Sequence, residues 1–196
     1  MAEKKKIVVF DFDGTLTTKD TFVEFAKFVA GNRKTFFCFL LFAPLLVLMK
    51  LRLVDNSKTK EKIFSFLFKE MKYNSFADKG LEFSNTIVCF ENKSTVELMT
   101  HHLNSGDVVC VVSASVSEWV KPWCAKKGVQ HVVCTIPEVK NGHLTGKFAT
   151  PNCYGKEKVL RLKQEIEDIE DYSLTVYGDS RGDKELMEIA NVAIKI

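Results

Sequence analysis

Short runs of apolar, mostly β-branched residues alternate with helical patterns along most of the chain. The five runs cover residues 7–12, 107–113, 129–135, 173–177 and 192–196, and the helical patterns cover residues 94–105, 117–127, 156–169 and 184–190. Continuous apolar strands separated by helices are typical of a parallel sheet that is covered on both faces. The pattern therefore predicts an α/β fold built on a doubly wound parallel sheet.

The alternation stops between residues 18 and 91, where the apolar spacing is helical, as at Phe22 and Phe25. This interval holds 13 of the 16 phenylalanines. An insertion directly after the first strand lies over the carboxyl ends of a parallel sheet, where open α/β proteins bind ligands. We therefore expect a core domain formed by residues 1–17 and 92–196, and a helical cap domain formed by residues 18–91.

A second, smaller insertion spans residues 136–148. It contains Asn141 and Gly142, a pair of residues that favours a two-residue hairpin turn. We expect this hairpin to flank the same rim of the sheet as the cap.

Composition narrows the class of protein. The 28 basic and 25 acidic residues give a net charge of +3, which is too small and too dispersed to indicate a nucleic-acid partner. The six cysteines include no C-x-x-C pair, and several lie in apolar runs where a reduced cysteine acts as a small hydrophobic residue. The apolar run after the basic N-terminus ends at Asp11, so we expect no leader peptide and a cytoplasmic location.

Two carboxylates follow the first predicted strand. Asp11 and Asp13 lie two residues apart, so both side chains point to the same face. A solvated turn would explain such a pair taken alone, and a calcium-binding EF-hand loop is excluded because Leu16 and Phe22 stand where glycine and glutamate are required.

Two further carboxylates, Asp179 and Asp183, follow another predicted strand. Parallel strands deliver their ends to one edge of the sheet, so four acidic groups meet there and repel each other unless a cation intervenes. Carboxylate oxygens with room for a phosphate favour Mg²⁺.

Anion-binding candidates occur at the same edge. Ser113 ends a predicted strand directly before a helix, whose N-terminal amides bind anions, although an isolated serine there is often only a helix cap. Lys156 and Lys158 lie in the first turn of another helix, where a lysine opposes the helix dipole unless an anion is nearby.

Four motifs occur in a fixed order along the chain: DFDGTLT, VVSAS, a glycine followed by lysines, and GDSRGD. This ordered set resembles the motifs of the haloacid dehalogenase-like hydrolase superfamily, from Asp11 to Asp183. The helical insertion after the first motif resembles the small cap of the phosphoserine-phosphatase-like branch, subfamily IB. The lysine three residues after Gly155 also resembles that branch, which favours Lys158 over Lys156 as the motif lysine.

The resemblance implies a Rossmann-like core and a Mg²⁺-dependent phosphatase. Asp11 would be the nucleophile that forms an aspartyl-phosphate, Asp13 the general acid and base, and Ser113 and Lys158 would hold the phosphoryl oxygens. Mg²⁺ would be bound by the Asp11 carboxylate, the Asp13 backbone carbonyl and Asp179. The remaining implied residues are Asp183 and Ser180, which support this site, and the substrate contacts Gly14, Thr15, Ala114 and Asp20.

The substrate is a small-molecule or lipid phosphomonoester on this interpretation. Phosphoserine phosphatases usually carry a serine where Gly14 stands and an acidic residue at the position of Asp20. Here the serine is replaced and the acid is one carbon shorter, so phosphoserine itself is weakly indicated. A non-catalytic phosphate-binding protein, a phosphomutase and a receiver-like module are the alternatives. The intact Asp11, Asp13, Lys158 and Asp179 argue against a non-catalytic protein.

Residues 36–49 of the cap are apolar throughout and are flanked by basic residues. The segment has 14 residues and contains Pro44, whereas a membrane-spanning helix needs about 20 apolar residues. It is not expected to span a membrane. The buried core of the cap, a homodimer face and peripheral contact with a membrane remain as explanations.

Overall fold

The computed structural model describes residues 5–196, so residues 1–4 of the predicted core domain, on which the expectation of no leader peptide partly rests, lie outside the described part. The described residues form seven strands, β1 (Lys6–Phe10), β2 (Val108–Val116), β3 (His131–Thr135), β4 (Pro137–Lys140), β5 (His143–Phe148), β6 (Ser173–Gly178) and β7 (Val192–Lys195). They also form seven α-helices, α1 (Thr21–Lys50), α2 (Asn56–Phe68), α3 (Tyr73–Thr86), α4 (Lys93–Asn104), α5 (Ser117–Lys126), α6 (Lys156–Glu165) and α7 (Lys184–Glu188).

Five strands form one parallel sheet in the order β3-β2-β1-β6-β7. Successive residues of β1 face opposite sides, so Val8 and Phe10 pack with α4 and α5, whereas Ile7 and Val9 pack with α6 and α7. Both faces are therefore buried, which explains the continuous apolar runs. The predicted α/β fold with a doubly wound parallel sheet is confirmed.

Several predicted elements begin or end at other residues than expected, and the structure gives the reason for two of them here. The strand expected from residue 129 begins at His131, because the Val129 amide donates to the Cys124 carbonyl and completes the end of α5. The helix expected to reach residue 169 ends at Glu165, because Ile166 is extended and Asp168 is left-handed with φ 51°.

The insertion after β1 is helical. It contains α1, α2 and α3 and a short 3-10 helix, Ile87–Phe90. Backbone bonds join its two ends: the Thr18 amide donates to the Phe90 carbonyl at 2.8 Å, and the Asn92 amide donates to the Leu16 carbonyl at 2.8 Å. The border that we propose between core and cap therefore lies where the two segments that connect the domains run side by side.

A cluster of aromatic rings joins the cap to the sheet domain. Phe25 of α1 stacks on Trp119 of α5, with ring centroids 4.3 Å apart, and it also contacts the rings of Phe68, Phe76 and Phe83. These side chains are buried. Many of the phenylalanines of the insertion thus form one continuous core with the sheet domain.

The predicted hairpin is present as β4 and β5. Its turn residues Asn141 and Gly142 have φ values of 51° and 75°, as a two-residue hairpin turn requires. The hairpin lies against α2: the Phe148 amide, for example, donates to the Glu61 carboxylate at 3.0 Å. The hairpin therefore holds the cap from the side of the sheet domain.

Helix α1 is long and unevenly buried. Gly31 breaks it, with φ 79° and ψ 157°, and the second part runs on through Pro44 to Lys50. Among the described residues it is the helix whose length and composition would allow it to cross a membrane, and only 11% of its most apolar 18-residue window is buried.

Candidate active site

The end of the central strands brings the acidic motifs together. Phe10 of β1 pairs with Tyr177 of β6, and the Asp11 amide donates to the Tyr177 carbonyl at 2.9 Å. The parallel pairing places Asp11 and the loop that carries Asp179 and Asp183 at one edge of the sheet.

Lys158 lies at the centre of this acidic group. Its side chain is 2% exposed, and its ammonium forms ion pairs with Asp11 and with Asp183 Oδ1, the latter at 2.6 Å. Lys156 is exposed on the first turn of α6. The structure thus brings Lys158, and not Lys156, to Asp11.

Burial dominates the ionisation of this group. Desolvation raises the pKa of Asp11 to about 7, although the Lys158 ammonium acts in the opposite direction. Desolvation lowers the pKa of Lys158, but the charges of Asp11 and Asp183 outweigh it and leave the pKa above its ordinary value. Lys158 is therefore a fixed positive charge beside Asp11.

Three carboxylates could hold a metal ion. One oxygen each from Asp11, Asp179 and Asp183 lie within 4.8 Å of one another. Asp179 Oδ1 is buried without a hydrogen-bond partner, and burial raises the pKa of this carboxyl. A set of hard oxygen donors with one unsatisfied buried oxygen fits Mg²⁺.

Gly14 leaves room for the Asp179 side chain. Gly14 has φ +87°, and a Cβ at this position would lie 2.6 Å from Asp179 Cγ. A side chain here would therefore displace a candidate metal ligand, which gives the glycine of the first motif a second role besides its turn.

The loop after β6 fixes Asp183 in place. Asp183 Oδ2 accepts hydrogen bonds from the Ser180 amide at 3.1 Å and the Ser180 hydroxyl at 2.9 Å. The Ser180 hydroxyl in turn accepts from the Gly182 amide at 3.1 Å. This capping box leaves Asp183 Oδ1 facing Lys158.

The Asp13 carboxylate is held between the first residue of α1 and strand β2. Its Oδ1 accepts from the Thr21 amide at 2.7 Å and the Thr21 hydroxyl at 2.6 Å, and its Oδ2 accepts from the Ser115 hydroxyl. Burial raises the pKa of Asp13, and the charge of Asp20 acts in the same direction. Such a carboxyl is suited to carry and release a proton.

A cavity of about 290 Å³ opens in front of these groups. Its polar wall contains Asp11, Asp13, Asp20, Ala114, Lys158 and Ser180, all of which were predicted for the site. Its other wall comes from the cap and includes Phe22, Phe39, Leu46, Met49 and Ile63. The cavity therefore has a charged floor and an apolar roof.

Some predicted phosphate contacts lie outside this cavity wall. Thr15 is buried and its hydroxyl has no partner among the described residues. The Ser113 hydroxyl accepts a hydrogen bond from the Ser115 amide at 2.9 Å, because β2 runs on to Val116 and has a bulge after Ser113. Ser113 was expected at the end of the strand, and the longer strand is the reason for this difference.

Three residues near the cavity were missed by the sequence analysis. Thr21 and Ser115 bind Asp13, and the half-buried Lys60 of α2 donates to the Ala114 carbonyl at 2.8 Å. Desolvation lowers the pKa of Lys60, against the charges of Asp20 and Asp13. Ser115 lies in the VVSAS motif, which could have indicated it, whereas Lys60 stands in no motif.

Comparison with known proteins agrees with this geometry. The sequence model of the haloacid dehalogenase-like hydrolase family matches residues 8–188. Protein CicA of Caulobacter vibrioides is 29% identical over 194 residues, which cover 97% of this chain and 86% of CicA. The chain therefore belongs to the haloacid dehalogenase-like hydrolases.

Solved structures share the fold. A Bordetella pertussis Tohama I protein described as of unknown function has a TM-score of 0.80 and 23% identity, and the match covers 98% of this chain and 90% of that one. A substrate-bound phosphoserine phosphatase complex has a TM-score of 0.73 and 21% identity, over 98% of this chain and 86% of that one. A phospho-aspartyl intermediate analogue of phosphoserine phosphatase has a TM-score of 0.67 and 22% identity, and the match covers 98% of this chain and 87% of that one.

Proposed function

We propose that the protein is a Mg²⁺-dependent phosphatase that hydrolyses a phosphomonoester through an aspartyl-phosphate on Asp11. The observation that carries this proposal is the contact of Asp11 with Lys158 at the floor of a cavity, with Asp13 on the same wall. A nucleophile, a fixed cation and a separate proton carrier are the groups that such a reaction needs.

In the first half of the reaction, an oxygen of Asp11 attacks phosphorus and the bond from phosphorus to the leaving oxygen breaks. The protonated Asp13 gives its proton to that oxygen, so the product leaves as an alcohol. Lys158 lowers the pKa of Asp11 against the larger effect of burial, which favours the ionised nucleophile, and it offsets the negative charge of the phosphoryl group.

In the second half, the ionised Asp13 takes a proton from a water molecule that attacks the phosphorus of the aspartyl-phosphate. The bond from phosphorus to Asp11 breaks, and inorganic phosphate leaves. Thr21 and Ser115 hold the Asp13 carboxylate in position for both proton transfers.

Mg²⁺ would be held by Asp11 and Asp179 together with either Asp183 or the Asp13 backbone carbonyl. When bound, it would supply positive charge for the phosphoryl oxygens. Asp179 is the residue that most needs it, because its buried oxygen otherwise has no partner. Asp183 also orients Lys158.

The test is phosphate release from a panel of phosphomonoesters by the wild type, with Mg²⁺ and with EDTA. Asp11→Asn removes the nucleophile with little change in shape, and Asp78→Asn makes the same change on an exposed carboxylate of the cap. We expect activity that needs Mg²⁺, is lost in Asp11→Asn and is retained in Asp78→Asn. Release that persists in Asp11→Asn, or no release by the wild type with any substrate, would make this a non-catalytic member of the family.

A further inference from the structure

We propose that the substrate is a lipid phosphomonoester and that the outer face of α1 beyond Gly31 docks on an anionic bilayer that presents it. The chemical part of this inference rests on the proposed phosphatase function. The docking part rests on the surface of the cap alone and is tested separately.

The second part of α1 exposes an unusual number of large apolar side chains. Phe36, Leu40, Val47 and Leu51 are each about 60% exposed, and their spacing of four, seven and four residues places them on one helical face. Phe37, Leu41 and Leu48 form a neighbouring stripe that is also exposed. This apolar docking face, residues 36–51, continues to Leu53, which is 69% exposed.

The opposite face of the same segment lines the catalytic cavity. Phe39, Leu46 and Met49 are spaced by seven and three residues and form part of the cavity wall. One helix thus separates the apolar docking face from the cavity. A cavity of about 290 Å³ is at the lower end of the range for small-molecule pockets. It accommodates a phosphate and the adjoining head group, and an acyl chain would continue along this apolar wall toward the bilayer.

The charge around the docking face selects the partner. Residues 25–54 contain no aspartate or glutamate, whereas Arg33, Lys50 and Arg52 lie near the ends of the exposed segment. Basic residues beside an apolar surface are attracted to anionic lipid head groups. A two-fold dimer through this face would instead bring the same set of cations together without any anion of this segment to pair with them.

The helix lies along the bilayer in this arrangement and does not cross it. Its inner face carries the buried Thr35 and Cys38, and the Lys34 ammonium donates to the Leu67 carbonyl of α2 at 3.4 Å. A helix that is apolar on its outer face and packed against protein on its inner face is placed at the level of the head groups.

Vesicle binding tests the docking face directly. The wild type is sedimented with vesicles of phosphatidylcholine alone, or of phosphatidylcholine and phosphatidylglycerol in equal parts. The variant Leu40→Glu with Leu41→Glu introduces two charges on the docking face, and Leu81→Glu with Val88→Glu does so at two similarly exposed positions elsewhere in the cap. We expect the wild type and the control to bind the anionic vesicles, and the Leu40/Leu41 variant to bind at least about tenfold more weakly.

Activity tests the substrate class. All three proteins are assayed on phosphatidic acid in those vesicles and on the water-soluble p-nitrophenyl phosphate. We expect the Leu40/Leu41 variant to lose at least about tenfold in kcat/KM on the lipid and less than about twofold on the soluble ester, because its catalytic groups are untouched.

Each other outcome overturns a defined part of the proposal. Equal vesicle binding by the two double variants, or no binding by the wild type, refutes the docking face. A dimer that the Leu40/Leu41 variant dissociates, without vesicle binding, assigns the face to a second copy. If the wild type binds vesicles but hydrolyses only the soluble ester, the lipid substrate is refuted. If the wild type hydrolyses neither substrate, the phosphatase function is refuted.

Discussion

Replacing Gly14 by alanine tests whether Asp179 is a metal ligand, provided that its effect on the metal site is distinguished from the strain that it puts on the backbone. A methyl group there would lie 2.6 Å from Asp179 Cγ, whereas ordinary carbon contacts are about 3.5–4.0 Å. The Asp179 carboxylate must therefore retreat by roughly 1 Å. Mg²⁺ requires ligands at about 2.0–2.1 Å in nearly ideal geometry, so this retreat removes or weakens one ligand.

Gly106 provides the matched control. It has φ +79°, close to the +87° of Gly14, but a Cβ there would meet nothing within 4 Å. Either substitution places alanine in the left-handed region, which costs about 1–2 kcal/mol. The clash at Gly14 adds little to this cost without metal, since Asp179 Oδ1 has no hydrogen bond to lose.

The assays are urea unfolding in EDTA and calorimetric titration of the folded proteins with Mg²⁺. We expect both variants to lose a similar ~1–2 kcal/mol of unfolding free energy in EDTA. Only Gly14→Ala should bind Mg²⁺ at least about tenfold more weakly than the wild type, a difference of ~1.4 kcal/mol. If Gly14→Ala and Gly106→Ala bind Mg²⁺ equally well, Asp179 is not a ligand and our reading of this site is wrong.

Three further changes have defined results. Gly80→Ala should lower the unfolding free energy by ~1–3 kcal/mol in urea, although alanine favours helices, because its Cβ would lie 2.5 Å from the Glu118 carbonyl. Lys158→Met should cost ~3–5 kcal/mol in the same assay, since it leaves two buried carboxylates without their cation; an unchanged midpoint would contradict this. Ser115→Ala should move the pH dependence that Asp13 imposes on kcat to higher pH, because the lost hydrogen bond lowers the pKa of Asp13 in the wild type.

The fold could be predicted from local pattern to a large extent. The strands of the sheet are buried on both faces, so their apolar runs are continuous and readable, and the helical spacing after β1 identified the insertion. Element ends were less predictable. The extended Ile166, for example, depends on packing that leaves this side chain buried after α6 has ended.

The candidate site was predictable where chemistry follows a strand in sequence. Asp11, Asp179 and Asp183 come directly after β1 and β6, so the pairing of these strands brings them together. Lys60 depends instead on how α2 docks over the sheet edge, which no local spacing reveals. The roles of these residues and the contact with a membrane remain predictions that the experiments above address, and the cytoplasmic location also remains a prediction.

The cap is an insertion whose two ends lie side by side, because the Thr18 amide is hydrogen-bonded to the Phe90 carbonyl. Because its ends are adjacent, another insertion could replace it without any change in the path of the rest of the chain, as for a surface loop. Packing imposes the opposite condition, because removing the cap would strip Trp119 of its Phe25 partner and open the aromatic cluster to water. A replacement cap would therefore have to supply its own aromatic rings at the place where Phe25 meets Trp119.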